Sequence, residues 1–389
     1  MTGRMALFIS VVLVLFGLLS YYIIRHIMAV IPQGSAARPW VLGVLIFLSV
    51  SYPLARFLER VWLSPVTDIL TWVSSFWLAA FFYFFLVFFV SDIVIAIAKL
   101  LTLISSPAGF ILKRYIAAGA ALIIPVVLII GYFNAVNVRV KELRIDIDKP
   151  LSVARNHLRV VFASDIHLGT QVGPKSIRQI VEKINQCRPD LVLLGGDIVD
   201  EDLAPVIRFD LGSALQKIDA PSGVYGITGN HEFIGGAGAA VNYLRNHGVH
   251  MLLDEVVEVS GIYIAGRIDR DAPRFGGHSP ADLSHLLSGV DKSKPLILLD
   301  HQPYSLKEKI ASGIDLTLSG HTHHGQLWPL NYITRAVFDV SWGYRKAGGT
   351  HIYVSSGAGG WGPRVRIGNT PEIVLLDLNF KKPDSPIEP

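Results

Sequence analysis

Four apolar runs fill the first third of this chain, and each is long enough to cross a lipid bilayer as a helix. They cover residues 5–31, 39–58, 69–100 and 115–136. A bilayer core takes about 20 apolar residues per helix. A water-soluble helix of that length normally carries a polar stripe. These runs carry none, and the third contains AAFFYFFLVFFV at residues 79–90. A cleaved signal peptide would also begin with an apolar run. The first run is longer than such a segment, lacks a small-residue cleavage site and is followed by three more spans. Residues 1–137 are therefore expected to be an all-α transmembrane region. Pro125, inside the fourth run, is tolerable where neighbouring helices satisfy the freed carbonyl. Asp92, near the end of the third, is a candidate intramembrane acid or a helix-end residue. The same runs explain a hydrophobic content of 51% and a mean hydropathy of +0.44, values too apolar for an ordinary soluble protein.

From residue 138 the pattern changes. VRVKELRIDI alternates apolar and polar residues, as a half-buried strand does. Beyond it, short apolar strands alternate with helix-like segments. The strands include Leu191–Leu194, Ile297–Leu299, Leu316–Leu318, Ile352–Gly357 and Glu372–Leu378, and residues 176–187 read as a helix behind Pro174. This is the signature of an α/β domain, spanning residues 138–380, with a disordered tail at 381–389. The glycine cluster at 234–240 is expected to be a flexible loop before a helix at 241–247, because it lacks the Lys-Ser/Thr of a phosphate-binding loop. One cysteine, Cys187, excludes an intramolecular disulfide framework and a cysteine zinc cluster. A net charge of +4 without a dense basic stripe argues against a nucleic-acid partner. Nothing in the sequence identifies a protein partner.

The chemistry sits at strand ends. The run Leu158–Ala163 stops at Ser-Asp-Ile-His, placing Asp165 and His167 two residues apart. In continued strand geometry both side chains would point to the same side. Leu191–Leu194 runs into Gly-Gly-Asp197. Ile227-Thr228 runs into Gly-Asn230-His231-Glu232. Ile297–Leu299 runs into Asp300-His301. Leu316–Leu318 runs into Ser-Gly-His321-Thr-His323. One such ending is commonplace in surface loops. Five, dominated by Asp and His and flanked by glycine, point to a shared site, because strands of an α/β sheet present their carboxyl ends at one edge. Glycine there lets backbone approach a crowded centre.

The series D-x-H, G-D, G-N-H-E, H and G-H-T-H, in this order from Asp165 to His323, resembles the calcineurin-like metallophosphoesterase superfamily. Its nearest subgroup is the membrane-associated bacterial phosphoesterases that share SGHTH followed by Gly-Gln. The resemblance covers Leu158 to about Leu378 and leaves out the helical region. It implies a four-layer α/β/β/α sandwich and two divalent metal ions of the Mn, Fe or Zn type. One ion would be held by Asp165, His167, Asp197 and His323. The other would be held by Asp197, Asn230, His301 and His321, with Asp197 bridging. Such oxygen and imidazole sets suit those ions. His231 would be the non-ligand histidine that stabilises charge or protonates the leaving oxygen. The implied reaction is hydrolysis of a phosphoester or phosphoanhydride by metal-activated water.

Several readings stay open at this level. Asp200 and Glu232 are either partners that orient ligands or solvated loop acids. His324 stands where many relatives carry a small residue. The Gly357–Gly362 loop with Trp361 either lines the mouth or packs, and Arg267, Arg270 and Arg274 are either phosphate contacts or solvated. A metal-binding sensor without turnover, or a transporter or receptor with a regulatory soluble domain, are the alternatives from other function classes. The substrate is a phosphorylated small molecule or lipid, and a membrane anchor makes a lipid-linked phosphate attractive. Basic residues flanking the spans lean slightly towards an extracytoplasmic catalytic domain.

Overall fold

The computed structural model describes residues 3–151 and 156–381. The tail expected to be disordered lies, beyond residue 381, outside the described residues. The chain forms two compact units, which divide between Tyr132 and Phe133.

The first unit is built from four helices, α1 (Gly3–Met28), α2 (Ala37–Val61), α3 (Pro65–Leu100) and α4 (Ser106–Val136). All four are long and apolar enough to cross a membrane. Their outward faces are apolar: Leu122 is 75% exposed and Leu18 61%. A bundle folded in water would bury such residues. The helix bounds differ from the apolar runs for local reasons. A reciprocal cap starts α3 earlier than residue 69. Ser64 Oγ accepts from Thr67 N–H at 3.2 Å, and Thr67 Oγ1 accepts from Ser64 N–H at 2.9 Å. Pro65 then occupies the first helical position. The fourth helix begins nine residues before 115, where Ser105 Oγ accepts from Ala108 N–H at 3.3 Å, and its first turns carry Lys113, a charge that hydropathy excludes, paired with Asp92 at 2.7 Å.

Among the described residues, the second unit holds twelve strands. They are β1 (Arg139–Pro150), β2 (His157–Ala163), β3 (Leu191–Leu194), β4 (Val224–Gly226), β5 (His250–Met251), β6 (Glu255–Val259), β7 (Ile262–Gly266), β8 (Leu296–Leu299), β9 (Leu316–Ser319), β10 (Gly343–Ala347), β11 (Thr350–Val354) and β12 (Glu372–Lys381). One six-stranded sheet runs β1-β12-β2-β3-β4-β5 and the other β10-β11-β9-β8-β7-β6. Strands β2, β3 and β4 are mutually parallel, as are β7, β8 and β9. Each set therefore presents its carboxyl ends at a common edge.

The period of two decides which layer each residue joins. Val160 and Phe162, Leu191 and Leu193, Ile297 and Leu299, Leu316 and Leu318 form the core between the sheets. Their alternates Val161, Ala163, Val192 and Leu194 face outward and are covered by Ile177, Ile180 and Ile184 of helix α5 (Pro174–Gln186). Leu296 and Leu298 face the other way, onto Leu283 and Leu287. The result is the α/β/β/α sandwich expected from the sequence. Each fully buried Leu, Ile or Phe contributes about 1.5–3 kcal/mol.

The glycine cluster at 234–240 is not a loop. One short helix runs Asn230–Gly235 and the next Ala237–Asn246. Gly236, at φ +106°, makes the join alone. Only a residue without Cβ takes that backbone cheaply, so one glycine replaces a connecting loop.

Candidate metal centre

The site forms where the carboxyl ends of β2, β3, β4, β8 and β9 meet, and it draws on both sheets. All eight residues singled out by the motifs are brought together. Asp165, His167 and His323 offer ligand atoms within 4.8 Å of one another, and so do Asp197, His301 and His321. Asp197 lies between the groups: its Oδ2 is 3.1 Å from His301 Nε2 and 3.8 Å from His167 Nε2. Asn230 Oδ1 is 2.9 Å from His321 Nδ1. The His231 ring sits edge-on to His167, with centroids 4.6 Å apart.

The route to this arrangement differs from the strand geometry read from Asp-x-His. Strand β2 stops at Ala163, before the motif. Asp165 and His167 then both take positive φ, +51° and +53°. Asp197 does the same at +49°, His321 at +70° and His323 at +45°. Left-handed backbone costs a residue with a side chain roughly 1–3 kcal/mol. Asp and His are among the residues that tolerate it best. Five strained ligand positions in one place persist because the surroundings over-determine them.

Those surroundings are backbone. The loop after β2 is zipped to the loop after β3: Asp165 N–H donates to Gly196 O and His167 N–H to Asp197 O, both at 3.0 Å. The ligand carboxylates are aimed by other ligand segments. His321 N–H donates to Asp165 Oδ1 at 2.8 Å, and His231 N–H to Asp197 Oδ1 at 2.9 Å. Glycines make the approach possible. A Cβ on Gly320 would collide with Asp165 Oδ2, and one on Gly359 with the Ile166 carbonyl.

The donor set fits divalent ions. Asp165 Oδ2 is buried without a hydrogen-bond partner, and the buried His301 Nε2 meets the Asp197 carboxylate at 3.1 Å. His301 Nδ1 donates to Gly195 O at 2.8 Å, which turns Nε2 towards the site; against burial, Asp197 raises this ring well above the ordinary imidazole range, so an ion would bind Nε2 by displacing its proton. His167 Nε2 and His323 Nε2 stand 3.2 Å apart, two ring nitrogens directed at one point. Burial and the His301 ring push His321 down to about 4. Burial, His167 and Arg366 hold His323 well below the ordinary imidazole range. Both therefore stay neutral, the form that binds metal. Burial alone would raise Asp197, but the His301, His231 and His167 rings outweigh it and keep the carboxylate ionised.

The residues left open by the sequence now have places. Asp200 is half-buried, 3.0 Å from His231 Nδ1 and 3.6 Å from His167 Nδ1. It holds the candidate acid through Nδ1 and faces the His167 ring as a nearby charge. Burial would raise its carboxyl, yet the two imidazoles hold it far below the usual carboxylate range. Burial opposes protonation of His231, but Asp197 and Asp200 push it up to about 9. Glu232 is a clamp. It accepts from Asp197 N–H at 3.1 Å, Val199 N–H at 2.9 Å and Gly229 N–H at 2.7 Å, fastening two ligand loops. His324 belongs to neither ligand group; it is buried against Trp342, with ring centroids 4.9 Å apart. Trp361 lies beside His231 at 6.1 Å between rings, so the Gly357–Gly362 loop does line the site. The three loop arginines are engaged elsewhere: Arg267 with Asp300, Arg270 over Tyr304 and Arg274 with Asp271.

Arg366 was not legible in the sequence as a site residue. It is 1% exposed and donates to Gly359 O at 2.8 Å and Gly357 O at 3.3 Å, behind His323. The only local signal is two arginines, Arg364 and Arg366, alternating with apolar residues just after the glycine loop.

A family model described as calcineurin-like phosphoesterase matches residues 158–325. An uncharacterized metallophosphoesterase of Helicobacter pylori strain J99 is 35% identical over 258 residues, covering 64% of this chain and 68% of that protein. A Danio rerio transmembrane protein with metallophosphoesterase domain is 33% identical over 273 residues, covering 66% of this chain and 62% of its own. Among solved structures, a 5'-nucleotidase precursor from Thermus thermophilus overlaps 57% of this chain and 55% of its own, at 16% identity and a TM-score of 0.35.

Proposed function

The chain belongs to the calcineurin-like metallophosphoesterase family, and we propose that it hydrolyses a phosphoester or phosphoanhydride at a two-metal centre while its helices hold it in a membrane. The observation that carries this reading is the placement of Asp197 Oδ2 between two groups of buried, backbone-aimed ligands, Asp165-His167-His323 and Asn230-His301-His321. Bound divalent ions of the Mn, Fe or Zn type supply Lewis-acid charge and water activation near neutral pH.

The protein's own groups do the rest. Asp165 and Asp197 provide charge that the ions neutralise, and their backbone donors fix where it points. His231, paired at Nδ1 with the Asp200 carboxylate that favours its protonated form, delivers a proton to the departing oxygen. Asp200 holds that ring in register through Nδ1. Trp361, 43% exposed, offers an apolar surface at the mouth beside His231. A substrate with an apolar group next to its phosphate suits that pairing, which favours a lipid-linked or hydrophobic phosphate. The arginine and lysine balance around the four spans favours an extracytoplasmic catalytic domain, which protease accessibility in intact cells tests.

The decisive experiment uses the full chain in detergent with a generic aryl phosphoester. Chelation should abolish hydrolysis, and Mn²⁺ or a similar ion should restore it. His231→Ala should lower kcat by about 10²–10⁴-fold with metal content retained. Asp197→Ala should lose metal as well as activity. Activity after exhaustive metal removal refutes the two-metal reading, and metal loss in His231→Ala refutes the role given to His231.

A further inference from the structure

The helical unit carries a second built feature, made of none of the hydrolytic residues. Arg25 in the last turn of α1, Arg38 in the first turn of α2, and Lys113 and Arg114 in α4 line two adjoining recesses of ≈ 530 and ≈ 280 Å³. The recesses share Arg25, Ala29, Phe110 and Arg114 as common walls. Asp92 is the one carboxylate among the lining residues, and it is already committed. It takes Lys113 at 2.7 Å, the Tyr22 hydroxyl at 2.8 Å and His26 Nε2 at 3.1 Å. His26 is in turn stacked on Phe88 at 4.8 Å. This network forms a rigid polar floor. Arg38 donates to the Ile31 and Met28 carbonyls at 2.7 and 3.2 Å, fixing its guanidinium at the end of α1. Arg25 and Arg114 have no side-chain hydrogen bond or ion pair among the described residues.

The larger recess continues into a groove of ≈ 460 Å³ between α1 and α2, with Tyr21, Ile24 and Leu42 lining both. The groove is apolar along Leu13, Phe16, Ile46 and Val50. Gly17 lines it, and a Cβ there would enter open space, with nothing within 4 Å. Arg25 lies three residues before the end of α1, about 4.5 Å along its axis, a depth that matches lipid headgroups. A recess rich in guanidinium joined to an apolar groove is complementary to one amphiphile.

We propose that this is a binding site for a phosphate-bearing lipid, with the phosphate between Arg25, Arg38 and Arg114 and a hydrocarbon chain along the α1–α2 groove. Planar guanidinium groups suit phosphate oxygens, and basic pockets between membrane helices hold anionic headgroups. The site rests on the helices lying in a bilayer and is independent of what the catalytic domain hydrolyses.

The test is native mass spectrometry of the full chain released from nanodiscs of mixed dioleoyl phosphatidate and phosphatidylcholine. The wild type should retain phosphatidate over phosphatidylcholine. The R25Q/R114Q double variant should bind it about 30-fold more weakly, from about 1 kcal/mol per surface-proximal cation. G17L keeps every charge but fills the groove, and it should also lose phosphatidate. Both variants should hydrolyse the soluble aryl phosphoester at the wild-type rate, which reports an intact fold and separates this site from the catalytic reading. Equal retention of the two lipids, or undiminished phosphatidate in R25Q/R114Q, overturns the headgroup site. Undiminished phosphatidate in G17L, or displacement by inorganic phosphate at matching concentration, overturns the lipid assignment.

Discussion

Gly229→Ala probes how tightly the two ligand loops are locked, and its effect follows from distances. Gly229 has φ −105°, a backbone that alanine adopts freely, so no conformational strain enters. A Cβ there would stand 2.6 Å from the Asp197 backbone nitrogen and 2.7 Å from its Cγ. Ordinary contact begins at 3.4 Å and Asp197 Oδ1 would lie nearer still, so one loop must yield by at least about 0.8 Å and the Asp197 carboxylate by more. The Asp197 nitrogen is held by Glu232, which also holds Gly229 itself, and neither side has slack. Overpacking of this kind costs about 1–3 kcal/mol. A displacement near 1 Å at a reacting centre costs about 10²-fold in rate. Gly229→Ala is therefore expected to lower the melting temperature, reduce bound metal and cut aryl phosphoester hydrolysis about 10²-fold. Gly238→Ala is the matched control. It lies inside a helix with nothing near its Cβ, and should be neutral or stabilising by up to about 1 kcal/mol. Metal analysis, a thermal melt and initial rates on both variants decide the matter. Wild-type metal content and rate in Gly229→Ala would show that the loops are loose and refute backbone locking.

Asp200→Asn keeps the shape but removes the charge beside His167 and His231. It should lose about 10–100-fold in activity or metal affinity, with melting little changed; an unaltered rate would return Asp200 to the solvated acids. Glu232→Gln leaves one side-chain oxygen to serve three backbone N–H groups. A stability loss of about 1–3 kcal/mol is expected, read by denaturant titration, and a smaller change would mean that the clamp is dispensable. His324→Phe retains the stacking on Trp342 and should leave metal content at two ions per chain, within the reach of elemental analysis; loss of an ion would make His324 a ligand.

The four long apolar helices and the metal-site motifs were legible in the sequence because both are local properties. About twenty apolar residues are long enough for a bilayer whatever surrounds them. Alternation at a period of two selects a strand and its buried face, which is why residues 138–147 read as a half-buried strand, the place of β1 with Ile145 and Ile147 buried. Asp and His at five strand ends likewise announce their chemistry one segment at a time.

Tertiary structure alone decided how those segments engage. Asp165 and His167 were expected on one side of a strand, yet both sit in left-handed backbone after the strand has ended. That conformation is uphill for an isolated chain and is imposed by hydrogen bonds to Gly196 and Asp197, in the loop after another strand. The choice between the two readings of Asp200 and Glu232 was open for the same reason: Asp200 faces His167 and His231, and Glu232 holds Asp197 and Val199, all in other loops. The basic recess joins the end of α1 to the start of α4, residues 25 and 114, which no window along the sequence contains. Local pattern determines which elements form and what they can bind. The strain, the clamps and the shared cavities arise only when distant segments pack, because only packing supplies the free energy that holds them.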